Sequence, residues 1–116
     1  VHAAFSAHEH RFGVHAGEVE TSMLLHLAPE QVQMARAQNF ASTSATRAQR
    51  FAILGNGKSA KLGWAMQDYN PAGAAGNAAA ADAQRGQALV EAAAQGLAQL
   101  LQEMHQLPLD TVGPAY

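Results

Sequence analysis

The sequence predicts a mixed α/β chain in which helices do most of the packing, and three observations carry that expectation. Alanine fills 27 of the 116 positions, against one Trp, two Tyr and four Phe. A chain so rich in small side chains suits close-packed helices better than thick sheets. A long apolar periodicity follows Asp82, with Leu89, Val90, Ala93, Leu97, Leu100, Leu101 and Met104 returning to one face in steps of three and four. Only two stretches read as strands, the approach to Phe12–Gly17 and Phe51–Leu54, too few for a self-sufficient doubly wound sheet.

Bulk properties narrow the function classes. At this length the chain is one domain at most, with a modest core. A net charge of -2 from seven basic and nine acidic residues, without a long run of either sign, does not point to nucleic acid. No window approaches the roughly 18 to 20 apolar residues of a membrane span. The start, Val-His-Ala-Ala-Phe-Ser, lacks a basic segment leading into an apolar one, so no signal peptide is visible. The absence of cysteine fits a reducing compartment, and the expected location is cytoplasmic. Because the chain opens on Val1 rather than Met, it is expected to be a processed product or a piece of something longer.

Taken in order, residues 1–11 form a lead-in segment holding His2, His8 and His10. His8-Glu9-His10 offers imidazole and carboxylate, the usual donors to a metal, and strand alternation would set both histidines on one face. The preferred reading is the bland one, an ordered but non-catalytic connection or a cut end with exposed histidines. Phe12–Gly17 reads as a strand end and a tight glycine turn. A helix is expected from about Val19 to Leu27, with Met23, Leu24 and Leu27 toward the core. Glu18 and Glu20 stand near its N-terminus, where the macrodipole favours negative charge, so both could serve only as caps. Pro29 ends that helix and opens a short turn through Val32 and Met34.

Residues 35–50 are rich in Ser and Thr and read as a surface loop with at most a short helical turn, with Arg47 and Arg50 toward solvent. Gly55-Asn56-Gly57 is a turn signal. Gly57-Lys58-Ser59 resembles the end of a phosphate loop, but Ala52 stands where that pattern needs a glycine, and Ala60–Trp64 do not open an amphipathic helix. The nucleotide reading of Lys58 is a decoy. Trp64 is an anchor or a substrate platform, and Asp68, four residues on, orients a histidine or caps a turn. Asp82 is a credible N-cap for the long helix, which Pro108 stops, and Gly86 and Gly96 suggest close packing along it. The tail 108–116 has no periodicity.

The chemistry concentrates in Phe12-Gly-Val-His-Ala-Gly-Glu-Val-Glu-Thr-Ser-Met-Leu-Leu25, where a histidine, two glycines, two carboxylates and two hydroxyls share one short stretch. His15-Ala-Gly-Glu-Val-Glu-Thr-Ser22, followed by a helix ending at a proline, resembles the creatininase (creatinine amidohydrolase) family. Later landmarks keep that family's order: Trp64-Ala-Met-Gln-Asp68, Asn70-Pro-Ala-Gly73, Gly76-Asn77, and Asp82-Ala-Gln-Arg-Gly86 before a long amphipathic helix. The likeness runs from about Phe12 to Leu101.

The resemblance implies a three-layer α/β/α fold around a mainly parallel sheet, with this chain supplying the C-terminal part: 1–11 lead-in, 12–107 family-like core, 108–116 tail. It implies a metal-dependent amidohydrolase that cleaves a non-peptide C–N bond, a cyclic amide or a formamide, with metal-bound hydroxide. His15 matches the family's catalytic general acid/base and Glu20 the residue that holds or polarises it, while Trp64 and Asp68 are candidates for substrate binding. The divalent metal (zinc, manganese or iron) is expected to take its ligands mainly from an N-terminal Glu-x-His…Asp segment and an Asn-Gly-His segment, neither of which occurs here. Arg11 and Val14 stand where creatininases carry an aromatic and an acid, so creatinine itself is not the expected substrate. The partner implied is an N-terminal half or second polypeptide, within a homo- or hetero-oligomer. The alternative is a non-catalytic fragment or subunit that assembles with such a half.

Overall fold

A computed structural model describes residues 4–55 and 57–114. His2, part of the lead-in reading, Asn56, the middle of the glycine turn signal, and the last two residues of the tail lie outside the described residues. The elements in chain order are α1 (Ala7–Phe12), α2 (Glu18–Leu27), two 3-10 turns (Pro29–Gln31 and Met34–Arg36), β1 (Asn39–Phe40), α3 (Thr43–Arg50), α4 (Met66–Tyr69), β2 (Gly76–Asn77), a 3-10 turn (Ala78–Ala80), α5 (Ala83–Gln106) and a last 3-10 turn (Leu109–Thr111). β1 and β2 pair antiparallel, Asn39 opposite Asn77 and Phe40 opposite Gly76. Among the described residues this ribbon is the whole of the named sheet.

Local chemistry explains the helix boundaries. Ser6 Oγ accepts the Glu9 N–H at 3.0 Å and starts α1, so the lead-in segment is helical and lacks the strand alternation that the metal reading of His8 and His10 relied on. Glu20 accepts the Gly17 N–H and closes the first turn of α2. Ser42 accepts the Ser44 N–H and starts α3 inside the stretch read as loop; the Ser/Thr run there is a cap rather than a coil signal. Asp82 Oδ1 accepts the Arg85 N–H at 2.9 Å, and α5 runs unbroken until just before Pro108, as its periodicity predicts. Phe51–Leu54 is no strand. Only Leu54 bridges, to Ala60, and Phe51 and Ile53 are exposed.

Helices α2 and α5 form the main contact. They meet through backbone: a Cβ at Gly86 would lie 1.9 Å from the Ser22 carbonyl oxygen and 2.4 Å from its carbon. Ser22 is fully buried, donating to the Glu18 carbonyl at 2.6 Å and accepting the Asp82 N–H at 2.9 Å. Small side chains therefore make this seam. The large ones expected in the core stand outside it: Leu24 and Leu27 are 46% and 62% exposed. Gly96, expected to mark a second close approach, has nothing within 4 Å of the position a Cβ would take.

The buried apolar residues are Phe5, Tyr69, Ala74, Ala75 and Ala78. Among the described residues that is a small apolar core, and the shape agrees. A compact chain of this length has a radius of gyration of about 13 Å, whereas the observed value is 18.2 Å, with principal extents of 51, 38 and 24 Å.

The two glycines of α5 should respond with opposite signs to the same substitution. Gly86→Ala forces the helix backbones apart and is expected to destabilise by about 1–3 kcal/mol, outweighing the better helix propensity of alanine. Gly96→Ala meets nothing and should stabilise by about 1 kcal/mol. Urea unfolding of the two variants measures both, and equal effects would contradict the seam.

Candidate functional site: the His15 turn

Gly13 to Gly17 join α1 to α2 as a turn whose middle carries His15. The turn is pinned to the segment before β2. Val14 and His15 donate their N–H groups to the Ala75 carbonyl at 2.9 and 3.3 Å, and the Ala75 N–H returns to the His15 carbonyl at 2.9 Å. The strand end expected here is thus a single antiparallel bridge. Ala16 holds φ at +53°, a left-handed conformation that an alanine adopts only at a cost. His15 is exposed, and its ring makes no hydrogen bond among the described residues.

Glu9 holds the turn from beneath. Its side chain is buried, one carboxylate oxygen accepting the Glu18 N–H at 2.6 Å and the other the Asn77 N–H at 2.9 Å. It therefore joins the first turn of α2 to β2, at the helix end where a negative charge is favoured. Glycine makes room for it on every side. A Cβ at Gly17 would fall 2.1 Å from the carboxylate, one at Gly76 2.6 Å, and one at Gly13 3.0 Å. This corrects the metal reading of His8-Glu9-His10. The carboxylate is spent on backbone donors, the His8 ring packs on Phe12 at 5.0 Å, and the His10 ring meets Phe5 edge-on at 6.3 Å.

The two carboxylates of the His-Ala-Gly-Glu-Val-Glu motif also have local partners. Glu18 is buried in an ion pair with Arg85. The same guanidinium donates to the Ala4 carbonyl at 2.9 Å and to the Ala80 carbonyl, and lies 5.1 Å over the Phe5 ring. Glu20 accepts the Gly17 N–H at 3.2 Å, two residues beyond His15, so it braces the turn that carries the imidazole.

Trp64 and Asp68 belong to a second cluster. Asp68 accepts the Ala65 N–H at 2.7 Å and caps α4. Trp64 is 48% exposed and packs edge-on against the buried Tyr69, with ring centroids 4.7 Å apart. Arg47, expected in solvent, is half-buried and lies 5.1 Å from the Tyr69 ring centre. Among the described residues no hydrogen bond or ring contact joins Trp64 or Asp68 to His15 or Glu20. Lys58 follows a tight turn closed by its own N–H to the Gly55 carbonyl at 3.2 Å, and residues 61–65 are not helical, which removes the nucleotide reading.

Among the described residues no group of three or more His, Cys, Asp or Glu could hold a metal ion. The donor set around His15 explains this, since Glu9 and Glu18 are engaged by backbone and by Arg85 and only the imidazole is free of such a task. Sequence reasoning missed Glu9 and Arg85 as the parts that build the site. Ser6-Ala7-His8-Glu9 fits the Ser-x-x-Glu start of a helix, and that signal would have turned Glu9 from ligand into brace.

Comparison with known proteins adds the following. A family model described as creatininase, creatinine amidohydrolase, matches residues 1–101. The solved structure of a Bacteroides fragilis NCTC 9343 protein, assigned as a creatinine amidohydrolase, is similar with a TM-score of 0.71 at 30% identity. The likeness covers 93% of this chain and 40% of that one, so the chain spans less than half of that protein's length. No curated protein matches the chain.

The brace under the turn is open to direct measurement. Glu9→Gln keeps the shape but offers one good acceptor for two N–H groups, and should cost about 1–3 kcal/mol. The amide proton resonances of Glu18 and Asn77 should move with it. Unchanged amide shifts together with unchanged stability would show that the carboxylate holds neither.

Proposed function

Because the chain belongs to the creatininase family, we propose that it is the His15-bearing part of an amidohydrolase that cleaves a non-peptide C–N bond in a cyclic amide or formamide. One observation carries this reading. The turn is held in a costly conformation at Ala16, while its neighbours Glu9, Glu18 and Glu20 all serve to fix it, and what it presents is an imidazole with no structural task. Backbone strain retained around one free titratable side chain is the mark of a functional position.

His15 supplies the proton traffic. A neutral imidazole has one accepting and one donating ring nitrogen, so it can take a proton from an attacking nucleophile and return it to the departing nitrogen. Glu20 acts through the Gly17 amide as a positioning residue. Trp64 offers an exposed aromatic face for a flat amide, and Asp68 fixes the helix beside it. An open groove beside Thr21, lined by Leu24, Val32, Arg36 and Ala78, flanks the Glu-Thr-Ser segment.

The residues described here do not fit a resident divalent metal, since no three donors converge. A metal in this enzyme, zinc, manganese or iron, must take its ligands from polypeptide beyond these residues, and we place that polypeptide N-terminal to this chain. The missing donor set also favours a second reading, in which the chain is a non-catalytic subunit assembled with such a half.

The two readings separate on one substitution. In the full assembly, His15→Ala should lower hydrolysis of a formamide by about 10²-fold or more with the fold retained. Full turnover by that variant would remove His15 from the reaction and leave the subunit reading.

A further inference from the structure

Positive charge is segregated along this chain. Residues 31–67 carry Arg36, Arg47, Arg50, Lys58 and Lys61 and no Asp or Glu, and all nine acidic residues lie outside that span. Among the described residues none of these five cations, nor Arg11, makes an ion pair.

The fold brings two of the cations to one place. Arg11 at the end of α1 and Lys58 beyond the turn at Gly55, far apart in sequence, line the same partly enclosed pit. Its space is about 10 Å³, room for one water-sized atom. Buried Ser44 and Gly55 stand on its wall, and the Gly55 N–H, given to the Ala60 carbonyl at 2.9 Å, fixes the turn that closes it. Through Arg11, Phe12 and Ala48 the pit adjoins an open groove of about 370 Å³ between α1 and α3, where His8 and Gln49 add polar groups. No carboxylate lines either space.

A lone surface cation is solvated and needs no partner. Two that line one pit repel each other more strongly than in open water, and negative charge between them reverses the sign of that interaction. The pit is walled by this chain alone, so it takes a single atom rather than a covering surface. Guanidinium and ammonium together suit an oxygen that carries charge. We propose that this is an oxyanion site: one oxygen of a carboxylate or phosphate enters the pit between Arg11 and Lys58, and the rest of a small molecule lies along the groove beside His8 and Gln49. It is not a phosphate loop, because its charge comes from side chains of two separate elements and no helix follows Ser59. The proposal does not rest on the amidohydrolase reading.

An NMR titration of the purified 116-residue chain at fixed ionic strength tests the site without recourse to hydrolysis. Inorganic phosphate or acetate should move the backbone amides of Ser44, Gly55 and Lys58 saturably, and the anion that saturates first identifies the acid class. Arg11→Gln, at an exposed position, and Lys58→Gln should each raise the apparent Kd at least tenfold while the remaining amides keep the dispersion of a folded chain. Lys61→Gln, which removes a cation of the same segment that lines neither space, should leave the Kd unchanged. Shifts that rise without saturation for both anions overturn the proposal. So does equal weakening by Lys61→Gln, and so does the same response to chloride, which would show a general attraction of anions and no oxyanion site.

Discussion

A carboxylate enclosed by peptide groups underlies the whole arrangement. Burying a charge without partners is prohibitive, and Glu9 has two backbone donors drawn from segments far apart in sequence, Glu18 and Asn77. Each donor is thereby fixed with respect to the other. The start of α2 and the edge of β2 become one unit, and the turn between α1 and α2 has only one course left to follow. Gly13, Gly17 and Gly76 are the complement of this device, since any side chain there would occupy the volume of the carboxylate.

The family motif then reads as a set of assembly instructions around one exposed imidazole. Gly17 admits Glu9, Glu18 grips Arg85 and with it the start of α5, Glu20 closes the first turn, and Ser22 welds α2 to the residue that caps α5. His15 is the member without such a duty. A motif of this kind explains why a chain spanning 40% of a similar protein still holds a defined local geometry while leaving much apolar surface in water. The α/β class is shared with that structure, although the sheet of a three-layer domain is not found among the residues described.

Helices were legible in the sequence where one signal sufficed. Asp82 and Pro108 bracket α5, and Pro29 ends α2, because caps and breakers act on their immediate neighbours. What failed was anything decided by tertiary partners. Leu24 and Leu27 have core-like spacing, yet the face that meets α5 is made by Ser22 and Gly86, where backbone approach outweighs side-chain bulk. Phe51–Leu54 has strand composition, but among the described residues only Leu54 finds a bridge partner, Ala60. At the site, the His15 turn was visible from its glycines, whereas the role of Glu9 depends on Asn77, 68 residues away. Alternation suggested a ligand there because imidazole and carboxylate look the same in sequence whether they face a cation or a peptide.

The left-handed alanine beside His15 has a mechanical corollary. A glycine at position 16 would let the peptide planes rock, so the ring could be carried about by backbone swings. With a methyl group in that place the main chain is stiff, and the imidazole can sweep only the arc its own side-chain torsions permit. Its travel is that of a pointer on a fixed pivot, and whatever meets the ring has to be brought to that arc.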